Sequence, residues 1–565
     1  MSSAALLQAF VFLLALVLLA GPLGGYMARV FEGESTFLDR VLRPLEIGMH
    51  RLLKVDPARE MSWTEYIVSF LSFSFCGTLL VYGLLRLQRF FPWYEGAWLT
   101  TPMTPDLAFN TALSFSTTTT WQAYAGESTM SPWTQLVALS AQNFLAAAGS
   151  LCLGVAFIRG LAREKSTGLG NFWSDLVRSV LWVLLPLSLL GALFLVWQGV
   201  PANLHPYTRA HTLEGAVQVI AGGPVAPFEI IKNLGTNGGG YFNANGAHPY
   251  EAPTPLANFV LLLAIAALPA ALTQTFGRML GSRRHGWVLL WVMVTLFATG
   301  LYVCARAESA RGPALARADV TGPGNLEGKE IRFGVGGSVL GAVATSNGAT
   351  GSSNSANDGD TALGGMVLLV NMLLGEIAFG GLGTGLMGLL VVGFLGLFAA
   401  GLMVGRTPDY AGKTIGVPEM KLVMLHTLAA PLAILIPTAV AVRISAGLSA
   451  LTTNAGPRGY TEILFTFASC FANNGQSLAG LSANTTFYNV TTAMVMTIGR
   501  FGMAIPALAL AGRFAAQGRR PPSAGSLPTD SLLFALVLIA AALVVGALTY
   551  FPALCLGPIA EQLQG

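Results

Sequence analysis

The sequence predicts an all-α polytopic membrane protein. It has about ten transmembrane helices, with four repeats of span, pore helix, extended segment and span in a pseudo-fourfold, channel-like arrangement. Three observations predict this. Hydrophobic residues make up 53% of the 565 and charged residues only 10%, under half of the roughly 25% that coats a soluble globular protein. Ten stretches are apolar over the ~20 residues that a helix needs to cross a bilayer core. A short small-polar element, with Asn and Gly in three of its copies, also returns four times at nearly constant spacing, as internal duplication requires.

The remaining composition narrows the function. A net charge of +4, with 31 Lys and Arg scattered along the chain, lacks the one-sided basic patch of a nucleic-acid binder. Cys76, Cys152, Cys304, Cys470 and Cys555 lie far apart in or beside apolar segments. They form neither a disulfide framework nor a zinc site and read as inert buried thiols.

The expected spans are 6–27, 64–87, 133–158, 172–198, 256–276, 286–304, 361–404, 420–446, 484–511 and 530–554. The first has no cation before Arg29. A secretory signal has the opposite bias, so this is an uncleaved helix with its N-terminus outside. The loops then expected inside carry dense cations: Arg40, Arg43, Arg51 and Lys54; Arg159, Arg163 and Lys165; Arg278, Arg283 and Arg284; Arg513, Arg519 and Arg520. The positive-inside rule supports that orientation and places both termini outside.

Four outer connections carry the repeated element: Ser116-Thr117-Thr118-Thr119-Thr120, Leu234-Gly235-Thr236-Asn237-Gly238, Ala344-Thr345-Ser346-Asn347-Gly348 and Phe471-Ala472-Asn473-Asn474-Gly475. Each follows a partly apolar stretch (105–115, 225–234, 335–343 and 460–470) too short to cross and long enough for a re-entrant half-helix. The organisation is then an extra span at 1–30, repeats at 64–160, 172–277, 286–405 and 420–512, and an extra span at 530–555. A cation entering a membrane must replace its hydration shell with oxygen ligands. Backbone carbonyls supply them without fixed charge if the ribbon is extended, and glycine permits the φ values such a ribbon needs. Non-helical backbone at that depth must line a watery cavity or be surrounded by protein. Four such segments around one axis would form a ring of carbonyls, and the lack of an Asp/Glu ring favours a monovalent cation.

The seventh stretch is too long for one crossing. From Gly375 to Gly388 it is dense in glycine, including Gly380, Gly381, Gly383 and Gly385, each costing a helix about 1 kcal/mol against alanine. A broken helix with an intramembrane loop beneath the ring fits; a close-packed contact through Gly381 and Gly385 is the other reading. Glu376 in this stretch and Arg500 in the ninth span are intramembrane charges, which are costly unless paired or wet. They are expected near one another below the ring, lining the ion's exit. Lys232 reads as an interfacial anchor.

Catalytic signatures are missing from the sequence. Ala411-Gly412-Lys413-Thr414 ends like a phosphate-binding loop, but Thr407 stands where the motif needs its first glycine and no strand is expected before it. The six histidines show no metal-binding spacing. Asn484-Thr485-Thr486, at a span boundary, is a chance glycosylation match.

Four long segments carry a resemblance: Leu234 to Glu251 (LGTNGGGYFNANGAHPYE), Gly364 to Gly375 (GGMVLLVNMLLG), Gly405 to Lys413 (GRTPDYAGK) and Ala472 to Asn484 (ANNGQSLAGLSAN). Through these the chain resembles, over nearly its whole length, the KdpA family. These are the potassium-translocating A subunits of Kdp-type P-type ATPases, within the superfamily of potassium transporters. The resemblance implies a K⁺ selectivity filter at Thr118 and Thr119; Thr236, Asn237 and Gly238; Ser346, Asn347 and Gly348; and Asn473, Asn474 and Gly475. It implies a gating loop around Gly380 to Gly385 and a bacterial inner-membrane location with periplasmic termini. It also implies a subunit that binds no nucleotide and hands K⁺ to the ATPase subunit KdpB, in a complex completed by the small subunit KdpC and the single-span peptide KdpF. Two positions depart from the family: Thr117 to Thr120 are all Thr where Asn is usual, and Asn347 stands where a Cys can occur.

Overall fold

The structure, a computed structural model, describes all residues except 1, 2, 95, 97, 205, 206, 311–323, 404, 406, 407, 522–526 and 565. Parts of four expected units, the span at 1–30 and the repeats at 64–160, 172–277 and 286–405, therefore lie outside the described residues. Among the described residues, ten helices are long and apolar enough to cross a bilayer: Ser3–Glu32, Trp63–Arg86, Pro132–Ala162, Phe172–Trp197, Pro255–Met279, Arg283–Ser309, Thr384–Met403, Val417–Ala441, Thr486–Ala516 and Leu532–Gln564. The last runs past its expected end through a π-helical turn, Cys555–Ile559, kinked at Gly557.

Four shorter helices stand between spans at the expected places: Pro105–Ser116, Val225–Leu234, Gly334–Asn347 and Gly456–Ala472. The first shows how the sequence starts one. Thr104 Oγ1 accepts the Leu107 N–H at 3.4 Å, and Pro105 occupies the first turn, where its missing N–H costs nothing.

Inner and outer spans alternate. In the first, second and fourth repeats the second span is 89%, 78% and 61% buried over its most apolar stretch, against 22%, 39% and 28% for the first span. Small residues let the inner helices approach closely. A β-carbon on Gly154 would sit 2.6 Å from Gly383 Cα, and one on Gly160 2.6 Å from Ala511. Outward leucines such as Leu189, Leu190 and Leu193 remain largely exposed, as lipid-facing positions should.

The seventh crossing is broken. Ala362–Leu373 is capped by the Thr361 hydroxyl, the chain unwinds, and Thr384–Met403 resumes the crossing. Left-handed backbone at Gly375, Glu376, Phe379 and Gly383 makes the interruption, so the broken-helix reading holds over a continuous helix packed through Gly381 and Gly385. Phe379 anchors the loop with its ring centroid 5.6 Å from that of Phe297.

The segment that ends like a phosphate loop is a small hairpin. Asp409–Tyr410 pairs with Lys413–Thr414, so a two-residue strand does precede it. Ala411 and Gly412 supply the two positive φ values of the turn. Lys413 Nζ donates to the Arg163 and Gln517 carbonyls, at 2.6 Å each. Its ammonium is thus committed to holding neighbouring loops together.

Candidate functional site

The four short helices end on the same backbone device. Beyond each, two residues with left-handed φ flank one without: Thr118 and Thr120, Thr236 and Gly238, Ala349 and Gly351, Asn473 and Gly475. Alternating the sign of φ turns successive carbonyls toward the same side, the geometry of a carbonyl-lined ribbon. The middle residue of each triplet donates its N–H to the carbonyl five positions back, inside the helix. The pairs are Thr119 to Ser114 at 3.0 Å, Asn237 to Lys232 at 2.8 Å, Thr350 to Thr345 at 3.4 Å and Asn474 to Ser469 at 2.9 Å.

The triplets close into a ring in chain order. Thr120 Oγ1 donates to the Asn237 carbonyl. A β-carbon on Gly238 would overlap the Thr350 carbonyl oxygen, one on Gly475 the Thr119 carbonyl oxygen, and one on Gly351 would lie 2.5 Å from the Asn474 oxygen. The last residue of every triplet thus abuts the middle carbonyl of the next repeat, and the fourth repeat returns to the first. Only glycine, or in one place a hydroxyl that donates to that carbonyl, fits there.

This register shifts the expected third segment. Ser346 and Asn347 lie in the last turn of the helix and Gly348 caps it, with φ −90°. The Asn347 amide donates to the Val343 carbonyl at 3.0 Å, as a helix side chain does. The residues in register with the other three triplets are Ala349, Thr350 and Gly351, which the sequence reading missed. The other expected positions, Thr118, Thr119, Thr236, Asn237, Gly238, Asn473, Asn474 and Gly475, all lie in the ring, and Thr120 joins them.

Two cavities flank the ring. On the side reached from the outer connections lies one of about 530 Å³, lined by Thr120, Gln122, Asn243, Gly351, Gly475 and Gln476 among others and by no charged side chain. On the opposite side a smaller one, about 140 Å³, is lined by Asn473, Glu376, Thr384, Arg500 and Tyr550 among others. Glu376 and Arg500 are therefore brought to one cavity beneath the ring, although no ion pair joins them among the described residues. The Asn474 amide donates to Glu376 Oε1 at 2.7 Å and to the Thr345 carbonyl at 2.8 Å. Arg500 sits in a π-helical turn, Ile498–Gly502, donates to Ser150 Oγ and stands 5.9 Å from the Phe70 ring centroid.

The broken-span loop touches the ring directly. The Leu382 N–H donates to Thr236 Oγ1 at 2.8 Å, while a β-carbon on Gly381 would lie 3.0 Å from Ala349 Cβ. With Glu376 held by Asn474, the loop contacts the second, third and fourth repeats from below. Gly383 has no room on its other side, where a β-carbon would overlap the Ser150 carbonyl oxygen.

Lys232 is no interfacial anchor. It is wholly buried, with Nζ 2.7 Å from Glu229 Oε2 and 3.0 Å from Glu251 Oε2. Burial, with Glu251 beside it, pushes the Glu229 carboxyl well up. Against its own burial, Lys232 and the hydrogen bond from the Phe242 N–H hold Glu251 below the usual carboxylate range. Lys232 thus stands between two buried carboxyls that are shifted in opposite directions, and pairing of this kind is what buried charge requires. Since the Lys232 carbonyl receives the Asn237 N–H, the trio stands directly behind the second triplet. Neither Glu229 nor Glu251 was singled out from sequence, though the spacing of Glu229 to Lys232, one helical turn apart, is a readable signal.

The fold and site define a class: a multi-pass membrane protein whose four re-entrant units converge on one ring of backbone carbonyls. Its architecture is similar to the crystal structure of the potassium transporter TrkH from Vibrio parahaemolyticus. The TM-score is 0.53 at 13% identity, covering 88% of this chain and 95% of that one. Residues 10–563 match the KdpA family, described as Potassium-transporting ATPase A subunit, and the chain belongs to that family. Proteins named potassium-transporting ATPase potassium-binding subunit are close to it in sequence. That of Bradyrhizobium diazoefficiens is 50% identical, covering 99% of this chain and 98% of the relative. That of Rhodopseudomonas palustris is 50% identical, covering 97% and 96%. That of Solibacter usitatus is 49% identical, covering 100% and 98%.

Proposed function

We propose that this chain is the ion-binding, non-catalytic subunit of an ATP-driven K⁺ importer in a bacterial inner membrane. K⁺ enters the outer cavity, sheds water against the carbonyls of the ring, and passes to a partner P-type ATPase subunit, KdpB, in a complex with KdpC and KdpF. The closed ring of four triplets carries the reading. Its ligands are uncharged oxygens, so a monovalent cation is compensated without the fixed negative charge that would trap a divalent one. The carbonyls belong to Thr118, Thr119 and Thr120; Thr236, Asn237 and Gly238; Ala349, Thr350 and Gly351; and Asn473, Asn474 and Gly475. The repeats serving them are the units at 64–160, 172–277, 286–405 and 420–512. The loop with Glu376, Gly380, Gly381, Gly383 and Gly385 obstructs the passage below the ring, and Glu376 and Arg500 line the exit. The chain binds no nucleotide, and ATP is spent on the partner.

The test is growth of a K⁺-uptake-deficient bacterium on micromolar K⁺, with this chain expressed alone or together with its three partners. Rescue only by the full set, abolished when the ATPase partner cannot be phosphorylated, is the expected result. Rescue by the chain alone would make it a self-sufficient channel or symporter.

A further inference from the structure

The helix Asp39–Leu53 joins the first two spans. At its start the first span meets the third pore helix, where a β-carbon on Gly336 would lie 2.5 Å from Ala5. Its far end, and this helix with it, therefore emerge on the face opposite the outer cavity. The helix has three sectors at 3.6 residues per turn. One packs on the protein: Leu42 is buried with Val30, Val177, Leu181 and Trp182, and Glu46 accepts from Arg178 Nε at 2.8 Å and Trp182 Nε1 at 3.0 Å. The second holds Val41, Leu45 and Leu52, which are 65%, 51% and 77% exposed, with Phe37, 82% exposed, just before the helix. The third holds Arg40, Arg43 and Arg51, with Ile47 between them, and Lys54 stands in the left-handed cap beyond; all are exposed. Arg43 pairs with Asp39 at 3.1 Å; no ion pair is found for Arg40, Arg51 or Lys54 among the described residues.

An apolar sector as exposed as Leu14 and Leu18 of the first span belongs in the bilayer. A cationic sector beside it then stands at headgroup level, which is the design of an interfacial helix. We propose that Asp39–Leu53 is a membrane-surface helix that seats its apolar sector in the leaflet opposite the outer cavity and binds anionic phospholipid headgroups through Arg40, Arg51 and Lys54. Near an anionic surface each such cation is worth about a fivefold preference, so the three act together.

The test uses the assembled complex in nanodiscs of phosphatidylcholine alone or with phosphatidylglycerol added, read by hydrogen exchange over residues 39–53. Exchange slower by several-fold with phosphatidylglycerol, relieved by high salt, is the expected result for the wild type and needs no variant. Arg40→Gln/Arg51→Gln/Lys54→Gln is expected to lose the difference while keeping K⁺-stimulated ATPase activity. Equal protection in both lipids would mean that a protein partner covers the helix, and equal exposure in both that nothing does; either overturns the proposal.

Discussion

Gly238 has no room for a β-carbon: φ is +88° and the Thr350 carbonyl of the next repeat occupies the space. Gly238→Asp adds bulk and negative charge where neutral carbonyls converge. Its expected effect is a rise in the apparent K⁺ KM of about tenfold or more, the equivalent of ~1.4 kcal/mol lost, together with relaxed selectivity against Na⁺ in transport assays. An unchanged KM would remove the second triplet from the ion path. The trio behind it makes a sharper prediction, because its two carboxyls are not equivalent. Glu229 is pushed up and Glu251 is held low, so Glu229→Gln, a near-isostere of a protonated carboxyl, is expected to cost less than about 1 kcal/mol. Glu251→Gln removes the carboxyl that is held low beside Lys232 and is expected to cost more, about 3–5 kcal/mol. Thermal unfolding of the two purified complexes measures the asymmetry; equal losses would mean that the two carboxyls are equivalent.

At the scale of the element, three of four extended segments were legible because Asn, Thr and Gly stand directly after a short apolar run. The third was misplaced by three residues because Thr345-Ser346-Asn347-Gly348 imitates the motif while still helical. Spacing could not arbitrate, since Gly348 and Gly351 both fit a repeat of that length. What decides is backbone that composition does not encode: the Thr350 N–H reaching Thr345, and Gly351 meeting Asn474. The two registers predict different mutants. Gly351→Ala forces a side chain onto a φ of +68° and against a ring carbonyl, and should raise the K⁺ KM several-fold, strain there costing about 1–3 kcal/mol. Asn347→Ala removes one helix hydrogen bond of about 1 kcal/mol and should leave KM nearly unchanged. The opposite ranking, measured by K⁺-stimulated ATPase activity, would return the third segment to Ser346–Gly348. The broken seventh crossing was readable from glycine density alone, whereas its grip on Thr236 and Asn474 was not, because tertiary hydrogen bonds leave no periodic trace.

For the molecule as a whole, hydropathy located the ten crossings because lipid permits few alternatives to an uninterrupted helix. The lack of an Asp/Glu ring was readable from the four segments, whereas the uncharged lining of the outer cavity was not, because the loops that form it come together only in the fold. Which side each loop faces depends instead on charge bias. Ten crossings, an even number, predict that the two termini share a side whichever way the chain inserts and that the hairpin at Asp409–Thr414 lies on the other. The cations packed around that hairpin, Arg163, Lys413 and Arg519, belong to the loops that the positive-inside rule retains in the cytoplasm. Alkaline phosphatase, which is active only outside the cytoplasm, is therefore expected to be active when fused after Leu563 and inactive when fused after Asp409. A fluorescent protein that matures only in the cytoplasm should give the reverse pattern. Both reporters inverted would turn the molecule over. The outer cavity would then open to the cytoplasm and the helix Asp39–Leu53 would meet the outer leaflet, so import through the ring could not be sustained. Reporters that disagree on the parity of the two sites would instead mean that the broken seventh segment does not complete its crossing.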